Sequence, residues 1–362
     1  MKRFLTFEKR MAGTTGNVVV NRLISVVAAI LVTIAFLFAV GKSPLEVVDI
    51  LRSMFVQTFF SYYGILDTLT KAIPLTITAI GIALAFKMKL WNIGGEGQIA
   101  MGAFAAAGVA MLFPGLPGWA LLPLMALAAM IVGALWAALA GLPKAYMGVN
   151  ETITTLMLNY VALKWLQHLI TGPWRDPAAK GFPMAPKIPL AAEFPAIGNT
   201  SLHMGLFLAL VLVLAYHFLL SRSRWGYEIR VIGESPRAAE YAGIPVKRNM
   251  LAVLMLSGAV AALAGMNELA GMSHRLETAI SGGYGYTAII IAWLARLNPL
   301  GIVAMSVFMS GLLVGGSYAQ TAGISSAIAV MIQGTILFFV LGFDLLTQYR
   351  IKFHFKKAKG DA

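Results

Sequence analysis

The chain has 362 residues, 59% hydrophobic and only 12% charged, about half the charged share of a soluble domain. Its formal charge of +13 sits in short segments between apolar runs, a placement set by orientation in a membrane rather than by a nucleic-acid-binding face. With no cysteine, disulfides and thiolate metal sites are excluded, and a mean hydropathy of +0.79 fits a polytopic membrane protein.

The first apolar run, Leu23 to Val40, is long for a signal-peptide core and lacks a small-residue cleavage pattern, so it reads as a retained span. With it, ten apolar segments lie in order along the chain, at about 20–40, 66–87, 95–113, 119–141, 150–170, 201–220, 249–272, 284–297, 300–318 and 323–343. The eighth is short for a crossing, so the eighth and ninth can alternatively form a tight hairpin or a re-entrant pair. Counting Lys and Arg between spans, a cytoplasmic N-terminus puts 20 of the 28 positives inside and seven outside, with Lys164 in a span. Both termini are therefore expected in the cytoplasm. The expected organisation is a cytoplasmic segment 1–19, a transmembrane domain 20–343 and a basic cytoplasmic tail 344–362.

Gly41-Lys42-Ser43 imitates a phosphate-binding loop, but Phe36 stands where the first glycine belongs. At the third span, Trp91 and Asn92 precede GGEGQIA, with Glu96 and Gln98 at the helix opening. A second stretch, GGYGYTA from Gly282, echoes it at the eighth span. Under the assigned orientation the two enter from opposite sides, the pattern that inverted repeats produce. Small-residue packing in a glycine-rich chain is the bland alternative. Tyr284 and Tyr286 are placed at the outer mouth of the eighth span, where aromatics serve an interfacial belt or stack on a planar ring.

The fifth span opens with Asn150 as N-cap and Glu151 in its first turn. Glu151, Thr155 and Asn159 recur at i, i+4 and i+8, a polar stripe that must face the bundle interior or a wet cavity. Helix–helix hydrogen bonding and lining of a solute path both satisfy that demand. Asn267 and Glu268, near the outer end of the seventh span, are expected to pair with Arg275 or Lys164. The proline-rich segment 171–200 is expected to be an extended, exposed outer loop able to meet a delivering protein.

The longest cytoplasmic loop, 221–248, holds a short capped helix: Ser235 as N-cap, Pro236 at the first helical position, Arg237 and Glu240 on its turns, and Gly243 as stop. At about two turns it is too short to persist alone in water. It either tidies a connection at the membrane surface or docks on a cytoplasmic partner. The five histidines are scattered and no nucleophile–base pair is nominated, so neither a metal site nor an enzyme is expected.

Four stretches in order, LWNIGGEGQIAMGA, GVNETITTLMLNYVA, RWGYEIRVIGESPRAAEYAGI and GYGYTAIIIAWLARLNPLGI, resemble the permease subunits of bacterial ABC importers. The family is that of ribose and branched-chain amino-acid permeases, and the likeness is strongest to nucleoside permeases of the simple-sugar type. It implies an all-α bundle of about ten spans in two inverted halves in the bacterial cytoplasmic membrane. A cytoplasmic ABC ATPase carrying ATP-Mg, a second permease (paralogue or self) and an extracytoplasmic binding protein are the implied partners. No cofactor is expected on this chain itself. Ser235 to Gly243 then resembles the coupling helix that docks on the ATPase. Asn92, Glu96, Gln98, Glu151, Thr155, Asn159, Tyr284 and Tyr286 become candidates for the solute path. A pentose or branched-chain amino acid is the alternative solute, and an ion-coupled secondary transporter using Glu151 or Glu268 is the alternative class.

Overall fold

A computed structural model describes residues 5–9, 15–179 and 182–353. The terminal segments expected at 1–19 and 344–362 lie partly outside the described residues. In chain order the elements are β1 (Leu5–Lys9), α1 (Thr15–Ala39), α2 (Pro44–Arg52), α3 (Thr58–Phe60), α4 (Tyr62–Lys87), α5 (Gly95–Leu112), α6 (Gly118–Met147) and α7 (Glu151–Thr171). There follow α8 (Gly205–Arg222), α9 (Arg224–Glu234), α10 (Pro236–Tyr241), α11 (Val246–Glu268), α12 (Tyr284–Leu294), α13 (Pro299–Thr321), α14 (Ser326–Gln348) and β2 (Tyr349–Phe353). Each of the ten apolar segments falls on a helix. Among the described residues, five of these are long and apolar enough to cross a membrane: α4, α6, α8, α13, and α11 with its continuation to Ser273.

Two compact units make up the chain, one from residues up to Ser61 together with those from Leu312 on, the other from Tyr62–Gly311. In the first, α1 packs on α14, and β1 pairs antiparallel with β2, Leu5 opposite Phe353 and Lys9 opposite Tyr349. The amphipathic α2 begins with a reciprocal cap. Ser43 Oγ accepts from the Glu46 backbone N–H, and the Glu46 carboxylate accepts from the Ser43 N–H at 2.8 Å. That explains the serine of the false phosphate loop.

In the second unit α11 is the central helix, buried along most of its length and packed on α4, α5 and α6. Small residues let the backbones approach closely. A Cβ at Gly265 would lie 1.9 Å from the Ile99 carbonyl oxygen of α5, so only glycine fits there. Polar α7 lies against α5 and α6, with its lipid-type face, Ile153, Met157 and Tyr160, exposed.

Segment 171–200 is not the extended, exposed loop expected. It makes two short 3-10 turns and folds back on the bundle, burying Ala185, Ile188 and Ala192. Backbone bonds from Ala185 to Leu276, Ile188 to His274 and Phe194 to Ala270 hold it there. The loop after α8 carries a feature missed from the sequence: α9, an amphipathic helix capped by Ser223, with Ile229 and Ile232 buried.

Candidate functional site

The site is built around two helix beginnings. After α4 ends at Lys87 the chain does not stay at the bundle's end. Residues 88–94 turn back inward, with Leu90 and Asn92 buried, and α5 starts beside Ile82, five residues before the end of α4. On the other side, α12 starts at Tyr284 against that same point. The Glu96 carboxylate accepts from the Gly283 N–H through Oε1 and from the Gly285 N–H through Oε2, both at 2.8 Å. It thereby satisfies two of the donors that a helix start leaves open and places an anion at the positive end of α12. A Cβ at Gly285 would come 2.1 Å from the Glu96 nitrogen, so glycine is required where the backbones touch.

The two glycine-rich stretches that echo each other in sequence therefore meet in space. From the meeting point the helices run apart. Near the end of α12, Trp293 stacks on Trp91 at 5.6 Å, and Trp91 in turn lies 5.1 Å from Phe86 at the end of α4. Along α5, Phe104 stacks on Trp174, beyond the end of α7, at 5.2 Å. Tyr284 is accordingly buried within the bundle and not at an outer mouth, which corrects the expectation for it. Tyr286 remains 39% exposed. The eighth apolar segment is thus a helix of 11 residues that begins inside the bundle, preceded by non-helical chain from His274 to Gly283.

Polar side chains hold the inward-turning segment. Asn92 bridges three groups: its Nδ2 donates to Ser257 Oγ of α11 at 2.8 Å and to Gln98 Oε1 at 3.1 Å, while its Oδ1 accepts from the Gly94 N–H. Every member of the α7 stripe bonds the backbone of the same segment. Glu151 accepts from Trp91 N–H at 3.3 Å, Thr155 Oγ1 from Ile93 N–H at 3.2 Å, and Asn159 Oδ1 from Gly97 N–H at 2.8 Å. Asn159 Nδ2 donates to the Ile93 carbonyl at 2.9 Å and reaches the Tyr286 hydroxyl at 3.4 Å. Glu151 also pairs with Lys144 at 2.7 Å. All eight proposed path residues thus fall in one neighbourhood. The Asn, Gln, Thr and Glu side chains are buried supports, and the accessible groups are Tyr286, Trp91 and Trp293. The two tryptophans were not among the candidates, and Trp293 has no sequence signal beyond its spacing from Tyr286 on α12.

Asn267 and Glu268 do not pair as expected. Arg275 lies 3.6 Å from Asp176, and Lys164 donates to Gln167. Both polar atoms of Asn267 and Oε2 of Glu268 are buried without a hydrogen-bond partner among the described residues.

The capped loop helix has the shape foreseen. Ser235 Oγ accepts from the Ala238 N–H, Pro236 opens α10, and Gly243 takes φ of +74° beyond its end. Only Ala239 of α10 is buried, so Arg237, Glu240 and a 95% exposed Tyr241 project outward. Behind it α9 is fixed by Asn249 of α11, which accepts from Trp225 Nε1 at 2.7 Å and donates to Glu228 at 3.0 Å. No group of three or more metal-ligating side chains occurs among the described residues.

Residues 64–341 match the family described as branched-chain amino acid transport system / permease component. A glucose ABC transporter permease of Haloferax volcanii is 34% identical over 94% of this chain and 91% of its own length. A guanosine ABC transporter permease of Bacillus subtilis is 30% identical, with 83% of this chain and 86% of its own covered. A nucleoside ABC transporter permease of Lactococcus lactis is 28% identical, with 88% and 89% covered. With a family match over most of its length and a helical bundle built of long apolar helices, the chain belongs to the branched-chain amino acid transport system permease family and is a multi-pass ABC transporter permease.

Proposed function

We propose that the chain is the membrane subunit of an importer in the bacterial cytoplasmic membrane, working by alternating access for nucleosides. In this reading it crosses ten times in two inverted halves, with both ends in the cytoplasm. The charge distribution, the pairing of β1 with β2 and the opposed courses of α5 and α12 support it. A separate ABC ATPase docks on α10, a second permease completes the path and an extracytoplasmic binding protein delivers the solute.

The observation that carries the solute class is the open face of α12. Tyr286 and Trp293 lie seven residues apart, on one side of the helix, and Trp91 extends the aromatic surface. A nucleoside offers a flat base to such a surface and a polar sugar to the Tyr286 hydroxyl. The guanosine and nucleoside permeases among its relatives agree with this. A sugar is the second reading, favoured by the 34% identical glucose permease. Ion coupling has less support: Glu151 is paired with Lys144, and although Glu268 keeps an unbonded buried oxygen, a transporter working alone has no use for the capped, exposed α10.

The test is purification from the native membrane in mild detergent, identification of what co-purifies, and uptake in liposomes. The expected result is an ATPase that accompanies the wild type, is lost from the Arg237→Ala/Glu240→Ala variant, and drives uptake of labelled guanosine over glucose. Uptake by the chain alone without ATP sinks the importer reading. ATP-driven uptake of glucose with none of guanosine leaves the importer and replaces the solute.

A further inference from the structure

A pocket lies away from the aromatic face, where the ends of α4, α8 and α12 meet α9. Its volume is about 260 Å³. Lys87, Arg230 and Arg296 line it, with His217 of α8 on the rim and no acidic side chain in the lining. None of the three cations has an ion pair or side-chain hydrogen bond among the described residues, although Lys144, Lys187, Arg224 and Arg275 each have an acidic partner. Gathering like charges without a counter-charge is unfavourable, and an anion reverses the sign.

The backbone fixes one of the three cations in place. Arg296 and Leu297 both take left-handed φ, of 50° and 58°, a strained conformation for two consecutive non-glycine residues. The Tyr216 hydroxyl donates to the Leu297 carbonyl at 3.0 Å and holds this turn in place. The turn sets Arg296 in the pocket lining and opens α13 at Pro299. Asn298 at the same edge accepts from the Leu300 and Gly301 N–H groups.

An apolar track leads to the rim. Phe207, Val211, Leu214 and Phe218 of α8 are all exposed and follow one another at helical spacing, ending beside His217. A ligand that is anionic at one end and apolar along its length fits both features. A free anion uses only the pocket.

We propose that this pocket binds the phosphate of an anionic phospholipid, held by Lys87, Arg230 and Arg296, with its acyl chain along α8. The site rests on the orientation proposed above, which places it at the cytoplasmic leaflet, beside the α9–α10 segment. Lipid bound there steadies the end of α4 against α9, where Gly233 lies directly on the Lys87 carbonyl.

The test uses the full chain in micelles doped with equal amounts of phosphatidylglycerol and phosphatidylcholine, with retained lipid counted by native mass spectrometry. The wild type is expected to retain phosphatidylglycerol selectively. Lys87→Gln should lower that preference about fivefold and Lys87→Gln/Arg296→Gln about 25-fold, from the typical contribution of one basic side chain at an anionic surface. Lys87→Arg should keep it, separating charge from folding damage. Equal retention of the two lipids by the wild type, or unchanged preference in the double variant, overturns the proposal. Displacement of phosphatidylglycerol by excess inorganic phosphate also overturns it, in favour of a soluble-anion site. If the preference disappears when the ATPase is bound, an acidic side chain of that partner is the occupant instead. Labelling of Ala242→Cys from outside intact cells sinks the orientation, and with it the leaflet, whatever the lipid result.

Discussion

Asn159 stands on α7 with its carboxamide spanning two backbone groups of a segment more than sixty residues earlier, accepting from the Gly97 N–H and donating to the Ile93 carbonyl. The residue is fully buried and uses both ends of its amide. It is the member of the polar stripe of α7 that fastens the glycine-rich start of α5.

Asn159→Leu should therefore destabilise the chain by about 1–2 kcal/mol, since it leaves the Gly97 N–H and Ile93 carbonyl without partners in the bundle interior. Asn159→Asp retains the acceptor for Gly97 and should fall between Leu and wild type. Thermal melting in detergent ranks the three, and a Leu variant as stable as wild type contradicts the assignment.

Gly285→Ala should abolish transport and lower yield, because its methyl group meets the Glu96 nitrogen at 2.1 Å and backbone cannot yield as a side-chain tip can. Glu96→Gln is the gentler probe. One amide oxygen remains for one of the two α12 amides, while the other faces an NH2 donor. Melting temperatures in the order wild type, Glu96→Gln, Glu96→Ala are expected, and Glu96→Ala as stable as wild type sinks the capping role.

If α12 presents its aromatic face to the solute, Tyr286→Leu and Trp293→Ala should lower uptake of a nucleoside more than that of a sugar. A stacking contact contributes about 0.5–1.5 kcal/mol, so the difference should be roughly 2- to 10-fold. Equal losses for both solutes would point to a structural effect. A Trp91/Trp293 double-mutant cycle on stability measures the ring pair separately.

Tyr241 makes a prediction about the partner alone. It is 95% exposed on α10, so Tyr241→Ala should leave the melting temperature of the isolated chain unchanged and weaken its hold on the ATPase. A change in melting without any change in co-purification reverses the assignment.

Outside the spans, Glu46 allows a titration. Its carboxyl is held at about 2, chiefly by the Ser43 backbone N–H and then by Lys42, below the ordinary 4.5. A carboxyl lowered by folding stabilises the cap fully above its ordinary pKa, and that contribution fades as pH falls from about 4.5 toward 2. Carboxyl carbon shifts of selectively labelled Glu46 should show this midpoint, and Lys42→Gln should raise it toward 4.5. A wild-type midpoint near 4.5 removes the cap.

The helices were readable because lipid demands long apolar runs, and each predicted run overlies one. The stripe of Glu151, Thr155 and Asn159 was readable from helical spacing alone. Its task was not, because the groups it bonds belong to residues 91–97, and spacing says nothing about partners so distant. Depth was misread for Tyr284 for the same reason: an aromatic at a predicted span edge looks like a belt residue unless its neighbour Glu96 is known. In α9, Arg224, Glu228 and Arg230 mask the apolar stripe, so a short amphipathic helix passed for connection. The fold of segment 171–200 depends on backbone bonds to residues 270–276, which proline content does not disclose.

Glu96 precedes Gly283 by 187 residues, and this spacing has a meaning for how the chain is made. The acceptor for the first amides of α12 is synthesised long before those amides exist. By the time α12 leaves the ribosome, α4, α5 and most of α11 are available to receive it. A helix that starts inside a bundle has no favourable state as an isolated segment in lipid, since its opening amides find no acceptor there. Its insertion is thus templated by the earlier part of the same chain. Substitutions at Glu96 should show first as slow or failed maturation of newly made protein, before any defect in molecules already assembled.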